Sequence, residues 1–294
     1  MHRDISIGTL VKAEQNAADY IRQILPHGFE SFQLVFRRHL HDADLPLLAR
    51  QVRQVLDESG HAATVSALGL YGNPLTDDGT AHDFGRLIDA AGEFGTNLVC
   101  GFAGRLPNRP IPESLPRFGQ VFGPLARRAE DCGVRIAFEN CDMGGTWDYG
   151  DWNIAHAPAA WERMFNEVPS PALGLEWEPC HQMVSLADPL PQLRQWAAKV
   201  FHVHGKDATV LWDIVKSRGI RGGETYVYHR TPGFGDTNWA DVFSTLRMAG
   251  YRGAIDIEGW HDPVYRDELE MTGQVHALEY LQRCRGGRYI PNPA

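Results

Sequence analysis

The chain has 294 residues, a formal net charge of −9, and hydrophobic and charged fractions of 43% and 22%, which are ordinary values for a globular protein. This composition excludes disordered, collagen-like and coiled-coil proteins, and the acidic balance argues against a protein that binds nucleic acid. The five cysteines lack CxxC spacing, the first residues lack the apolar core of a signal peptide, and no apolar run reaches the ~18 residues of a membrane span, so we expect a cytoplasmic protein with free thiols.

Short apolar segments alternate with amphipathic segments along the whole chain. The apolar segments are rich in β-branched and aromatic residues and nearly free of charge, as strands buried on both faces should be. They predict eight strands, at residues 5–10, 31–36, 64–70, 97–101, 135–139, 172–176, 200–203 and 254–258. Apolar stripes at helical spacing predict helices between them, including 15–25, 47–56 and a C-terminal helix over about 267–285.

Helix boundaries are indicated by single residues. Asp188 and Asn238 are placed to accept hydrogen bonds from the free N–H groups of a first helical turn. Gly133, Gly219 and Gly250 stand where helices should end, because glycine adopts the left-handed conformation that often terminates a helix.

The repeated strand–helix units predict a parallel sheet. Eight units close most simply into a (β/α)₈ TIM barrel, and no linker divides the chain, so we predict one domain over residues 1–294. A glycine-rich and charged segment, residues 206–238, lengthens the interval before the last strand. An open doubly wound sheet is the alternative, but the sequence Gly8-Thr9-Leu10-Val11 after the first strand does not match the GxGxxG pattern of that fold.

Acidic and histidine residues stand where the last four predicted strands end. They are Glu139, Glu178, the pair His202 and His204, and Glu258. In a barrel the carboxyl ends of the strands meet at the catalytic face. Three carboxylates and an imidazole buried there would be strongly unfavourable without a cation, so the pattern predicts a site for Mn²⁺, Mg²⁺, Co²⁺ or Zn²⁺. Because the two histidines lie on one strand, we expect only His204 to face the axis and His202 to be a packing residue.

The residues around these strand ends form several motifs. They are Glu139-Asn140-Cys141, Glu178-Pro179-Cys180-His181, His202-Val203-His204-Gly205-Lys206-Asp207, Pro232-Gly233-Phe234-Gly235-Asp236-Thr237-Asn238-Trp239 and Gly250-Tyr251-Arg252-Gly253 before Glu258. Over about residues 5–281 they resemble the xylose isomerase-like TIM-barrel superfamily, the sugar phosphate isomerase/epimerase family. The resemblance implies that Glu139, Glu178, His204 and Glu258 bind one divalent cation, with Mn²⁺ the expected metal, and that His181 binds a substrate oxygen.

Two departures from the family pattern concern the site. Glu178 and Cys180 stand where the family usually has Asp and Ser, and the longer glutamate reaches about one methylene further. After Glu258 the sequence Gly259-Trp260-His261-Asp262-Pro263 places an extra imidazole near the mouth. We expect His261 and Lys206 to contact substrate.

Aromatic residues and a thiol near the same strand ends have two interpretations each. Trp177, with Trp147 and Trp260, is expected either to form an aromatic wall for a sugar or to pack in the core or a lid. Cys180 lies beside His181, but adjacent residues on an extended segment point apart, so we expect a packing thiol and not a nucleophile.

These residues predict an isomerase or epimerase that acts on a keto-sugar or sugar derivative through a metal-bound enediolate. Glu139 and Glu258 enter from separate strands, so one can remove the proton next to a carbonyl while the other delivers a proton to the opposite face. Proton return to the neighbouring carbon would give isomerisation instead of epimerisation.

Other functions remain open on the same barrel. The first alternative is a lyase or dehydratase acting on an inosose or a 3-oxo-glycoside, including C-glycoside cleavage, in which His261 would protonate the leaving group. An endonuclease IV-like DNA repair enzyme is disfavoured, because Val227 occupies a position where that family has a ligand aspartate and Tyr71 follows the third strand in place of a histidine. The expected partner is a small sugar, without nucleic acid or membrane, and a homo-oligomer is left open.

Overall fold

Eight parallel strands form a closed barrel in the computed structural model of the chain, which describes residues 4–14 and 16–293. The barrel strands are β1 (Ser6–Lys12), β2 (Ser31–Phe36), β3 (Thr64–Leu70), β4 (Leu98–Gly101), β5 (Arg135–Glu139), β6 (Leu173–Trp177), β7 (Val200–Gly205) and β10 (Ala254–Ile257). Their order around the barrel is β1-β10-β7-β6-β5-β4-β3-β2. The predicted (β/α)₈ TIM-barrel fold class is confirmed.

The strand predictions succeed because the barrel strands are buried on both faces. Every residue of β2, β6 and β7 is buried, which is the pattern expected of a parallel sheet covered by helices. Three predicted strands have the observed bounds, and the others differ by at most two residues at either end.

Ten α-helices are found in the described part of the chain. They are α1 (Ala17–Ile24), α2 (Leu45–Glu58), α3 (Asp78–Ala90), α4 (Ile111–Cys132), α5 (Pro158–Glu167), α6 (Pro179–Val184), α7 (Pro189–Trp196), α8 (Trp212–Arg218), α9 (Trp239–Met248) and α10 (Glu270–Cys284). Gln15, where the first predicted helix begins, and residues 1–3, on which the absence of a signal peptide was argued, lie outside the described residues. None of the helices in the described ranges is long and apolar enough to cross a membrane.

The predicted helix ends are confirmed by their backbone geometry. The Asp188 side chain accepts from the N–H of Leu190 at the start of α7, and Asn238 accepts from a first-turn N–H of α9. Gly133 and Gly219 follow α4 and α8 with φ of +66° and +73°, a conformation that costs glycine little.

The long segment before the last barrel strand contains a feature that the sequence did not reveal. Strands β8 (Asp207–Val210) and β9 (Val227–Arg230) form a separate two-stranded antiparallel sheet, with α8 between them in the chain. Both strands have four residues and β9 has no buried residue, so neither carries the continuous apolar run that identifies a barrel strand.

The described residues group into two compact units. The large unit comprises residues 10–177 and 199–203, and the small unit comprises residues 4–9, 178–198 and 204–293. The large unit contains an aromatic cluster in which Phe84, Phe118 and Phe138 all pack on Phe122, with ring centroids 4.8–5.6 Å from it. In the small unit, residues 6–9 of β1 pair in parallel register with residues 254–257 of β10. That the chain is one domain stays a prediction.

Asp207 anchors a loop of the small unit. Its carboxylate is fully buried and accepts from the backbone N–H groups of Ala208 and Thr237, at 2.8 and 3.0 Å, and from the Trp239 indole N–H, at 3.0 Å. A Cβ atom at Gly235 would lie 2.4 Å from the same carboxylate, so the loop can pass this closely only with glycine there. Asp207 therefore fixes the path from Gly235 into α9.

We expect Asp207→Asn to lower the free energy of unfolding by about 1–3 kcal/mol, because the amide would oppose an N–H donor with one of its own. Asp213→Asn is the control, since Asp213 is exposed on α8 and such changes usually stay within ~0.5 kcal/mol. Denaturant unfolding of both variants measures the difference. Equal stabilities would show that the loop does not depend on this carboxylate.

Candidate metal centre

Three of the four predicted metal ligands meet in the small unit. Glu178 directly follows β6, His204 lies on β7 and Glu258 directly follows β10, and all three side chains are buried. His204 Nδ1 lies 3.7 Å from Glu178 Oε2 and 3.5 Å from Glu258 Oε2. One potential ligand atom of each residue lies within 4.8 Å of those of the other two. The strand ends thus assemble two carboxylates and an imidazole around one point.

A buried ammonium group lies against the two carboxylates. Lys206 Nζ is 3.1 Å from Glu258 Oε1 and 3.9 Å from Glu178 Oε2. Burial alone would raise the pKa of Glu178, but the charges of His181 and Lys206 outweigh it and hold that pKa below its ordinary value. Burial likewise opposes ionisation of Glu258, yet Lys206 and the neighbouring imidazoles hold its pKa well below the ordinary value. Both carboxylates are therefore ionised near neutral pH.

This donor set fits a divalent cation. Carboxylate oxygens and an imidazole nitrogen suit Mn²⁺, Mg²⁺, Co²⁺ or Zn²⁺. Lys206 carries a permanent positive charge, whereas the imidazoles are charged only when protonated. With neutral imidazoles the two buried carboxylates keep a net negative charge, which a cation would compensate.

Glu139, the fourth predicted ligand, belongs to the large unit. It is the last residue of β5 and its side chain is buried. Its main-chain oxygen accepts from Asn153 Nδ2 at 2.8 Å, so the chain beyond the strand is tied to the strand end. Its role as a ligand stays a prediction.

Three imidazoles extend from the carboxylates of the small unit. His181 contacts Glu178, three residues earlier, because both lie at the start of α6. The His181 ring packs edge to face against the His229 ring, with centroids 5.1 Å apart. The centroids of the His229 and His261 rings are 6.1 Å apart. His261 Nε2 is 3.2 Å from Glu258 Oε1, and its side chain is 55% exposed. His181 and His261 therefore lie beside two of the predicted ligands.

His229 was not among the predicted site residues. It lies on β9, the strand that the sequence did not reveal, and pairs with Ala208 of β8. Burial, together with the charges of Lys206 and His181, lowers the pKa of His229 to about 4, so its imidazole is neutral. The missing signal is the hairpin of β8 and β9, because its strands are short and lack a continuous apolar run.

The expectation for Cys180 was right about the thiol and wrong about its surroundings. Cys180 and His181 lie on the first turn of α6 and not on an extended segment. The thiol is fully buried, and burial with the nearby charge of Glu178 raises the pKa of Cys180 to about 12. A thiolate nucleophile is therefore disfavoured at neutral pH.

The expectation that His202 faces away from the barrel interior was wrong. Residues two apart on a strand point to the same face, so His202 and His204 share an orientation. In the large unit, His202 Nδ1 lies 3.0 Å from Glu176 Oε1, and both side chains are buried. His202 is thus part of an internal polar network.

The other predicted substrate contacts differ in exposure. Trp177 is fully buried at the end of β6, whereas Trp147 and Trp260 are half-buried. The Arg163 guanidinium lies over the Trp147 ring, 5.4 Å from its centroid. Contact of substrate with Trp177, His181, Lys206 or His261 stays a prediction.

The chain matches the family model described as xylose isomerase-like TIM barrel over residues 21–284. It is 27% identical over 165 residues to the uncharacterized protein YfiH of Bacillus subtilis (strain 168), covering 53% of this chain and 49% of that protein. It is 26% identical over 177 residues to the rhizopine catabolism protein MocC of Rhizobium meliloti, covering 58% and 47%. The chain thus spans about half the length of these curated relatives.

The structure of 3-keto-D-glucoside 4-epimerase YcjR from E. coli has a similar fold, with a TM-score of 0.70, 18% identity and coverage of 95% of this chain and 100% of that chain. The chain belongs to the xylose isomerase-like TIM barrel family.

Proposed function

We propose that the protein is a divalent-metal-dependent isomerase or epimerase that acts on a keto-sugar or sugar derivative. The observation that carries the proposal is the buried cluster of Glu178, His204 and Glu258 at the strand ends of the barrel. Active sites of this fold lie at the carboxyl ends of the strands. A structure with the same fold is named as a 3-keto-D-glucoside epimerase, which supports a sugar ketone as the substrate.

Four residues would hold the cation, namely Glu139, Glu178, His204 and Glu258. A divalent cation, when bound, polarises the substrate carbonyl and so acidifies the neighbouring C–H group. Glu178 would serve only as a ligand, and its contact with His181 would orient the imidazole toward a substrate oxygen. Mn²⁺ is the metal we propose.

Glu139 and Glu258 would act as the base and the acid. Two strands, β7 and β6, separate β10 from β5 around the barrel, so the two carboxylates approach a substrate from different directions. One takes the proton from the carbon next to the carbonyl, and the other returns a proton to the opposite face or to the neighbouring carbon. The low pKa of Glu258 keeps its carboxylate ionised, which is the state that a proton acceptor must have.

We also propose a compartment, from the state of the cysteines, and a partner, from the proposed reaction. Among the described residues no two cysteines are joined in a disulfide, and reduced thiols suit the cytoplasm, where we propose that the protein acts. A small polyhydroxy ketone is the proposed partner.

One observation favours a second function, that of a lyase or dehydratase. His261 is half-exposed and lies 3.2 Å from Glu258, where an imidazolium can protonate a group that leaves from the carbon β to the carbonyl. An inosose or a 3-oxo-glycoside offers such a leaving group.

The purified protein should contain one divalent ion per chain. Glu178→Ala should lose the metal and the activity together, because that carboxylate is assigned only to the cation. Glu162→Ala, at an exposed position on α5, is the control and should retain both. Elemental analysis of the three proteins measures the metal. A fully active protein without metal would contradict the proposal. Three ions per chain would also contradict it and would favour the endonuclease IV-like alternative, because that family needs three zinc ions.

Glu139→Gln and Glu258→Gln should retain metal and lose about 10²–10⁴-fold in rate, the usual contribution of general acid–base catalysis. The amide keeps the size and the carbonyl oxygen of the ligand but cannot accept the proton. The losses should not add in the double variant, because both groups serve one proton-transfer sequence. Substrate α-proton exchange in deuterated water, on a panel of keto-sugars, inososes and 3-oxo-glucosides, measures each step.

Glu162→Gln is the matched control for these two variants and should exchange at the wild-type rate. Normal exchange in both Glu139→Gln and Glu258→Gln would move the base to another residue, and His261 would be the first to test.

His261→Gln should separate the two proposed functions. In a lyase, product release from a substrate with a poor leaving group should fall about 10²-fold or more, while α-proton exchange continues. In an epimerase the same variant should leave the ratio of the α-proton exchange rate to the product formation rate as it is in the wild type. Mass spectrometry of the products, together with the deuterium content of recovered substrate, distinguishes the two outcomes.

A further inference from the structure

A buried polar network in the large unit is not used by the proposed mechanism. At its centre Glu176 Oε1 accepts from Gln33 Nε2 at 2.7 Å and lies 3.0 Å from His202 Nδ1, while Oε2 accepts from the Tyr71 hydroxyl at 2.9 Å. Gln33 Nε2 also lies 2.8 Å from the Tyr71 oxygen. The interior of such a barrel is usually filled by branched apolar side chains. A carboxylate there is costly unless its oxygens are hydrogen-bonded, as they are here.

The network holds Tyr71 in one orientation at the end of β3. Tyr71 directly follows Leu70, the last residue of that strand. A Cβ atom at Gly69 would lie 2.8 Å from the Tyr71 ring, so the ring folds back over the strand into space that only glycine leaves open. Phe102 packs against the ring edge to face, with the centroids 5.3 Å apart. The hydroxyl and the ring are therefore both fixed.

The hydroxyl of the partly exposed Tyr71 contacts two fully buried side chains, so we assign the exposed part of this residue to its ring. The side chain is half-buried, and its hydroxyl lies between the buried side chains of Glu176 and Gln33. Burial, followed by the negative charges of Glu176 and Glu139, raises the pKa of Tyr71 well above its ordinary value, so the phenol stays neutral. Glu139, the proposed base, is the register partner of Glu176 across β5 and β6, so it stands next to the residue that binds the Tyr71 hydroxyl. Tyr71 thus presents a fixed aromatic surface beside a catalytic carboxylate.

We propose that the Tyr71 ring is the platform on which the substrate lies, and that Gln33, Glu176 and His202 are positioning residues that hold it. The inference rests on the proposed function and narrows its substrate class. The negative face of an aromatic ring favours C–H groups, and a cyclic polyol presents several of them on one face, whereas an open-chain sugar does not. The substrate class is therefore a ring-form ketone, a pyranoside or a cyclitol, and not an open-chain keto-sugar.

Two polyols with six hydroxyl groups each provide the probe. Calorimetric titration of the Mn²⁺-loaded wild type with myo-inositol and with D-sorbitol should show tighter binding of the cyclic compound. Tyr71→Leu should weaken myo-inositol binding by roughly 3- to 10-fold, the magnitude of a single aromatic contact, and leave sorbitol binding unchanged. Tyr20→Leu, at a half-buried tyrosine on α1, is the matched control and should change neither affinity.

The positioning role has its own readout. Glu176→Gln should reduce the preference for myo-inositol over sorbitol when Tyr71 is present. The same substitution should leave that ratio unchanged in the Tyr71→Leu background, because Glu176 acts through the ring. Additive effects of the two substitutions on the ratio would overturn the positioning role.

The remaining outcomes separate this inference from the proposed function. The platform is overturned if the wild type does not prefer the cyclic polyol, and this includes a wild type that binds neither polyol. It is also overturned if Tyr71→Leu weakens the binding of both polyols equally. In each case Mn²⁺ binding and α-proton exchange can still support the proposed function. A wild type that binds no Mn²⁺ overturns the proposed function and this inference with it.

Discussion

The cost of burying ionised carboxylates is the constraint on which the candidate site depends. Glu178 and Glu258 are buried and ionised around the ammonium of Lys206, and their low pKa values mean that the surrounding charges favour the anions more than burial disfavours them. The compensating groups are held by structure: Lys206 follows β7, and the adjacent Asp207 carries three hydrogen bonds that fix the next loop. Stability of the loop and electrostatics of the site thus share one short segment.

Neighbouring strands carry the same pair of residue types twice, with different partners each time. On β6 and just after it stand Glu176 and Glu178, and on β7 stand His202 and His204. Glu176 lies 3.0 Å from His202 and is hydrogen-bonded by neutral donors of the protein, so it is already compensated. Glu178 lies 3.7 Å from His204, and its other described neighbours are an imidazole and an ammonium. Residues two apart along a strand share a face, so each strand contributes one residue to the internally satisfied pair and the next residue on that face to the pair suited to a cation.

The sequence predicts well those features that depend on the residue pattern of a single short segment. Continuous apolar runs identified the eight barrel strands, because burial on both faces is visible in a single segment. Their position at strand ends also indicated that Glu178, His204 and Glu258 lie close together, as they do. The orientation of His202 was wrongly predicted through an error of strand geometry, whereas its buried contact with Glu176 agrees with the expected packing residue. The β8–β9 hairpin and His229 were missed because their strands are short and partly exposed. The contacts of Gln33 and Tyr71 with Glu176 join residues 143 and 105 positions apart in the chain, which no local pattern shows.

The reaction is decided by the residues that the barrel does not fix. Ligand positions at strand ends are shared by enzymes with different reactions, so membership of the family determines the fold and leaves the chemistry to the loops. Here the loop residues differ in how firmly they are held. Tyr71 is fixed by hydrogen bonds and by ring packing, which suits recognition of a rigid substrate face. His261 is half-exposed and contacts only Glu258 among the carboxylates described around it, which suits a group that must exchange protons with a departing product. In the proposed mechanism the Tyr71 platform would bind the substrate and the His261 imidazole would transfer protons, and a ring-form ketone is the proposed substrate that would use both.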